Sequence, residues 1–302
     1  MNKIRQNAFP LIAALIWGAA FSSQAICAER GMGAFTFNML RGLVAFLALL
    51  IIAVIFTRKS IKADFSNKKY IRDLLFGGLS CGGTLFIASN LQQLAFSGTD
   101  SGKVGFITVF YVVLVPVAGL FFKKRVPLNV WISVVIALAG MYFLCFKGKG
   151  IGSVNKYDMV ALLCAIAFSA QILCIDFFAS RVNGIHLSCA QFAVMTLLSA
   201  VSAFAFEKPS LAVTAACIWH VLYVGIFSSG IAYTLQILAQ KDSNPTVVSL
   251  LLSLESVFSV LSGAVLLHER LEVLEYVGCG IMFIAVVFSQ IPFDSLMHKR
   301  NK

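Results

Sequence analysis

The sequence predicts an all-α integral membrane protein of ten transmembrane helices, arranged as two inverted five-helix repeats. Three observations predict it. Of 302 residues, 59% are hydrophobic and 12% charged, whereas soluble domains carry about 25% charged residues. Ten apolar stretches each approach the roughly 20 residues that a helix needs to cross hydrocarbon. The last five stretches repeat the order of the first five, and because five is odd, the second copy must enter the membrane upside down.

The expected spans are 8–27, 33–57, 72–95, 102–122, 127–146, 158–178, 186–206, 215–238, 245–267 and 272–290. Residues 1–302 form one membrane domain, with repeats at about 8–146 and 158–290. The first span follows Lys3 and Arg5 and ends near the small residues Ala25–Ala28, as a signal peptide would. Signal h-regions run only about 7–15 residues, and the matching span in the second repeat argues that this one is retained. The second carries Arg41 and leads into the basic cluster Arg58–Arg72, which fits contact with anionic lipid and offers no aromatic platform for nucleic acid. The third has a nearly bare face of Gly77, Gly78, Gly82 and Gly83, suited to close helix packing. The fourth contains Pro116, which removes a backbone bond and is a hinge candidate. Pro127 and Pro245 sit where the fifth and ninth spans begin, as helix-starting prolines do.

With the N-terminus inside, the cytoplasmic segments hold 16 of the basic residues and the outer segments seven. The positive-inside rule therefore places both termini in the cytoplasm, with most of the bias in the first half. The eight cysteines form no CxxC pair and no metal-ligand spacing with histidine, so they read as small packing residues. Neither a metal nor a cofactor is expected.

The repeat is legible in register. Ala95 and Ala239 are 144 residues apart, Arg125 and Arg270 are 145, Gly18 and Ser169 are 151, and Arg41 and Gln191 are 150. One length difference in a loop accounts for the drift, because loops absorb insertions cheaply.

Several stretches resemble the EamA-type branch of the drug/metabolite transporter superfamily. They are LIWGAAF in the first span, the mid-span Arg41, YVVLVPVAGL running into KKRVPLNVWISVVIALAGMYFL, and SLESVFSVLSGAVLLHERLEVLEYVGCGIMF. The resemblance covers almost the whole chain and implies a small-solute transporter of the cell inner membrane. Two positions depart from that pattern: Lys124 replaces an acid before Arg125, and Ser256 replaces a proline after the helix 9 acid.

An ionisable group in hydrocarbon costs at least ~2.5 kcal/mol, so it should face a partner or a wet cavity. Glu255 is the one acid deep in a span, about 15 Å along the ninth helix. It is the candidate for proton coupling or for binding an amine; the alternative is a fixed pair with Arg41 or a cap on a neighbouring backbone group. Arg41 either binds a carboxylate or phosphate or ties helices together, and its uncharged repeat mate Gln191 favours the tie. Asn90, Gln92, Tyr233 and Gln236 supply neutral hydrogen-bonding groups, and Trp17 and Tyr111 supply aromatic walls, for a substrate site among apolar surfaces.

These residues describe a secondary transporter that moves a small metabolite, amino acid or drug-like solute by alternating access, with export the expected direction. No GxxxxGK[ST] loop is present for ATP-driven transport. A membrane-embedded enzyme acting on a lipid-linked substrate would need clustered acids or paired His and Asp, whereas His186, His220, His268 and His298 are scattered. A non-transporting scaffold would use the buried polar groups only for packing.

Overall fold

The computed structural model describes residues 3–99, 101–121, 126–146, 155–241, 243–266 and 272–289, and these are helical with short joints. The Lys124–Arg125 and Glu269–Arg270 pairs lie outside them. The first repeat contains α1 (Lys3–Glu29), α2 (Ala34–Ser66), α3 (Lys68–Ala95), α4 (Ser101–Thr108), α5 (Tyr111–Phe121) and α6 (Leu128–Phe146). The second contains α7 (Lys156–Phe178), α8 (Gly184–Phe206), α9 (Leu211–Tyr223), a π-helical segment (Val224–Ala232), α10 (Tyr233–Gln240), α11 (Pro245–Leu252), α12 (Glu255–Leu266) and α13 (Val273–Ser289).

Eight helical stretches are long and apolar enough to cross a membrane, and Leu128–Phe143 and Val273–Ser289 are apolar but shorter. The sequence reading placed a basic loop after the second span. Instead α2 continues to Ser66 and α3 starts at Lys68, with Asn67 as a single-residue joint. Asn67 makes that possible because its side chain accepts from the amides of Lys69 and Tyr70 at 3.0 and 3.4 Å, satisfying donors that α3 leaves open. Asn155, Asn183, Ser210 and Asn244 cap α7, α8, α9 and α11 in the same way.

Outward faces are strongly apolar. Leu47, Ile51 and Ile55, one turn apart on α2, are exposed, as are Phe76 and Leu79 on α3. In water such a patch would drive association; in an integral membrane protein it meets lipid.

Inside, α2 and α8 pack antiparallel: Gly42 faces Thr196 in mid-helix, Phe35 meets Phe206 at one end, and Thr57 meets His186 at the other. α6 and α13 also run antiparallel, with Gly140 against Met282 and Asn129 donating to the Ser289 carbonyl at 3.2 Å. α3 lies on α7 and α8, while α1 and α2 lie on the π-helical segment. The bare face of α3 serves this packing, since a methyl on Gly82 would sit 2.6 Å from the Gln191 carbonyl oxygen.

Both ends of the α2–α8 pair carry a polar latch. Glu207, just after α8, accepts from the Phe35 and Thr36 amides at 2.9 and 2.8 Å and from the Thr36 hydroxyl at 2.6 Å. At the opposite end, His186 binds the hydroxyls of Thr57 at 2.8 Å and Tyr70 at 2.6 Å. Thr36 and His186, like Thr57 and Glu207, are 150 residues apart, so the two latches occupy equivalent repeat positions.

Because Glu207 caps α2, replacing it with Ala removes about 1–2 kcal/mol. Thermal unfolding of the purified protein should show a melting temperature a few degrees lower; an unchanged value would mean that the latch adds no stability.

Candidate functional site

Two crossings are interrupted in mid-course, at Val109–Phe110 between α4 and α5 and at Ser253–Leu254 between α11 and α12. The interruptions are 144 residues apart. Each is a tight turn rather than a gap. Val112 and Val113 donate to carbonyls three residues back at 2.9 and 3.0 Å, and Leu254 and Ser256 do so at 3.3 Å. In the second repeat, the hydroxyls of Ser249, Ser253 and Ser256 compete for the carbonyls three residues earlier, at 2.7–2.8 Å. Pro116 is buried inside α5, six residues beyond Phe110, and its repeat counterpart is Val260. The second repeat turns without a proline, so Pro116 is not what the turn requires.

The first residue after each turn is Tyr111 in one repeat and Glu255 in the other. The two side chains meet: the Tyr111 hydroxyl donates to Glu255 Oε1 at 3.1 Å, and both residues are buried. Glu255 therefore begins a half-helix rather than lying within a continuous one.

Beside this contact is an internal cavity of about 30 Å³. Trp17, Gln92, Tyr111, Tyr233, Gln236 and Glu255 line it, and so does Arg41. Seven of the residues singled out from sequence are thus brought together from six helices. Asn90 is elsewhere, accepting from Asn38 at 3.0 Å and donating to the Phe86 carbonyl at 2.7 Å. At the equivalent place in the second repeat, Ser188 meets Thr234 at 2.7 Å. Each repeat therefore clasps its second helix to its third with one polar pair.

Sequence reasoning missed Gln24, Gln171 and Ser228 on the polar wall, and Phe21 and Phe168 on the aromatic wall. Mid-span amides would have flagged the two glutamines. Ser228 lies within the π-helical segment, and it is its backbone carbonyl that takes part. Trp17 Nε1 donates to the Ser228 carbonyl at 3.1 Å, and the Trp17 and Tyr233 rings lie 4.7 Å apart.

The polar groups are sparsely paired. Gln236 reaches Gln171 at 3.5 Å, a weak contact. Gln24 Oε1, Gln236 Oε1 and Gln171 Nε2 are buried without partners, as are Arg41 Nε and Nη2. No ion pair joins Arg41 to Glu255 among the described residues, although both face the same space. No cluster of three or more His, Cys, Asp or Glu among the described residues is arranged to hold a metal. The groups lining the site can accept and donate hydrogen bonds, offer aromatic faces and compensate charge of either sign.

The family profile described as EamA-like transporter family matches residues 7–146 and again residues 155–290. The chain belongs to the EamA-like transporter family. An uncharacterized transporter of Archaeoglobus fulgidus is 28% identical over 278 residues, covering 91% of this chain and 82% of its own length. The uncharacterized transporter YoaV of Bacillus subtilis is 22% identical over 289 residues, covering 91% and 95%. A solved protein crystal structure has the same fold, with a TM-score of 0.78 over 98% of both chains at 17% identity. EamA membership makes the chain a membrane transporter.

The clasp and the cavity wall should respond differently to truncation of polarity. Asn90→Leu removes the buried hydrogen bonds to Asn38 and to the Ser199 hydroxyl and should cost about 1–3 kcal/mol, seen as a lowered melting temperature. Gln92→Leu, at a buried side chain with no described hydrogen bond to lose, should cost less, about 0.5 kcal/mol. Equal losses from both would contradict the division of labour.

Proposed function

We propose that this EamA transporter is a secondary carrier with ten crossings in two inverted repeats. Its central cavity, which opens alternately to either side, holds a small solute, and both termini lie in the cytoplasm. The Tyr111–Glu255 contact carries the reading. Residues 144 apart occupy the same position in each copy, and they can touch only near the axis relating the copies. The antiparallel packing of α2 on α8 and of α6 on α13 supports the same relation, because each pair joins equivalent helices. Binding near midplane, at interrupted helices between inverted repeats, is the arrangement secondary carriers use.

The chemistry supports solute handling with proton coupling, and export is the direction we propose. Among the described residues, Glu255 accepts one side-chain hydrogen bond, from Tyr111, and makes no ion pair. A carboxylate so placed is costly without a compensating positive charge. A proton or a cationic group on the solute supplies it, and alternation of the two would couple proton movement to solute movement. Trp17, Tyr233 and Phe168 give flat apolar walls, while Gln24, Gln92, Gln171 and Gln236 set the orientation of a polar solute.

Counterflow in proteoliposomes tests the carrier reading. A panel of radiolabelled amino acids, amines and carboxylic acids should include a solute that exchanges unchanged and faster under an imposed pH gradient. In Glu255→Gln the gradient-driven component should fall by about tenfold, equivalent to ~1.4 kcal/mol in the transition state. Exchange that keeps its full pH dependence in this variant would exclude Glu255 as the coupling group, and chemical conversion of the solute would exclude a carrier.

A further inference from the structure

We propose that Arg41 forms a built anion subsite in the cavity and takes the carboxylate of the transported solute; this rests on the carrier reading above. Arg41 is among the largest fully buried side chains and keeps its positive charge in a protein interior. A helix tie would spend its N–H groups on carbonyls or a carboxylate of a neighbouring helix. Instead Nε and Nη2 are buried without a partner, while the rest of the guanidinium meets the Tyr233 hydroxyl and the Phe37 ring, 5.7 Å from its centroid.

The two idle donors matter as a pair. Nε–H and Nη2–H lie along the same edge of the guanidinium plane and point the same way, which is the fork that the two oxygens of a carboxylate fit. Gln171, whose Nε2 is a third buried donor without a partner, is among the residues lining the same cavity. A cavity of about 30 Å³ accommodates a functional group rather than a whole solute, so the remainder of the solute enters as the cavity widens. Its repeat mate Gln191 is also buried and unpaired but is not part of the cavity lining. The anion subsite therefore belongs to one repeat only and gives an otherwise two-fold chamber a polarity.

Charge compensation fixes the solute class. Arg41 and Glu255 face one space without pairing, so a zwitterion or a monocarboxylate accompanied by a proton on Glu255 leaves the chamber neutral. A cation without an acidic group would leave Arg41 uncompensated.

The test is binding to the purified full chain in detergent, with benzoate as the anion and benzamide as its neutral isostere. Benzoate should raise the melting temperature saturably, and benzamide should not. Arg41→Gln should lose the benzoate response yet melt no lower than the native protein in the absence of benzoate. Arg41→Lys keeps the charge without the fork and should shift half-saturation by about tenfold; this variant decides the matter if Arg41→Gln does not fold. A native protein indifferent to benzoate, an Arg41→Gln response like the native one, or an Arg41→Lys half-saturation unchanged would each overturn the subsite. Because binding in detergent needs no transport, loss of the subsite alongside intact solute exchange in liposomes would leave the carrier reading in place.

Discussion

The rest of the structure depends on one hydrogen bond, from the Tyr111 hydroxyl to the Glu255 carboxylate. Each partner opens a half-helix after a tight turn, and each turn lies at the same repeat position. The interruptions bring Tyr111 and Glu255 to the centre of the bundle, where backbone groups must be satisfied without water. Tight i→i−3 bonds and serine hydroxyls satisfy that backbone, which leaves the side chains free to face the cavity. The site is therefore a consequence of how two copies of one unit meet.

Charge shapes the chamber as much as symmetry does. One acid and one base are buried in the same wall without an ion pair between them, and each is expensive unless something compensates it. A permanent pair would have sealed the space. Held apart, the two groups make the chamber's stability depend on what occupies it, as the proposed alternating access would require. The amides around them are similarly underused, and burial of unpaired donors and acceptors is tolerated where a ligand completes them.

Much of this was legible in the chain. Polar amides within apolar spans flagged Gln92 and Gln236, which are 144 residues apart, and the rarity of deep charges isolated Arg41 and Glu255. Hydropathy located eight helices long enough to cross and two shorter apolar ones among the described residues, but it could not show that a single residue joins α2 to α3, because that depends on one asparagine cap. Nor could it separate Asn90 from Gln92: two residues apart on a helix, they face different neighbours, and only packing decides which one meets a cavity. The π-helical segment left no compositional trace, and its contribution, a carbonyl turned towards Trp17, is a backbone property. The Glu207 and His186 latches were missed because each pairs with a residue more than 100 positions away.

Those latches frame how the molecule can move. With polar fastenings at both ends, the α2–α8 pair is held along its length, and the proposed cycle assigns motion to the interrupted crossings around it. The central claim is that a single chamber at the meeting of the repeats is open to each side in turn. Its most direct measurement is two-sided labelling of Gln236→Cys, in a background freed of native cysteines, with a membrane-impermeant thiol reagent applied to one face of oriented vesicles at a time. Reaction from both faces, slowed by bound solute on each, is the predicted result. Reaction from one face only would contradict the account.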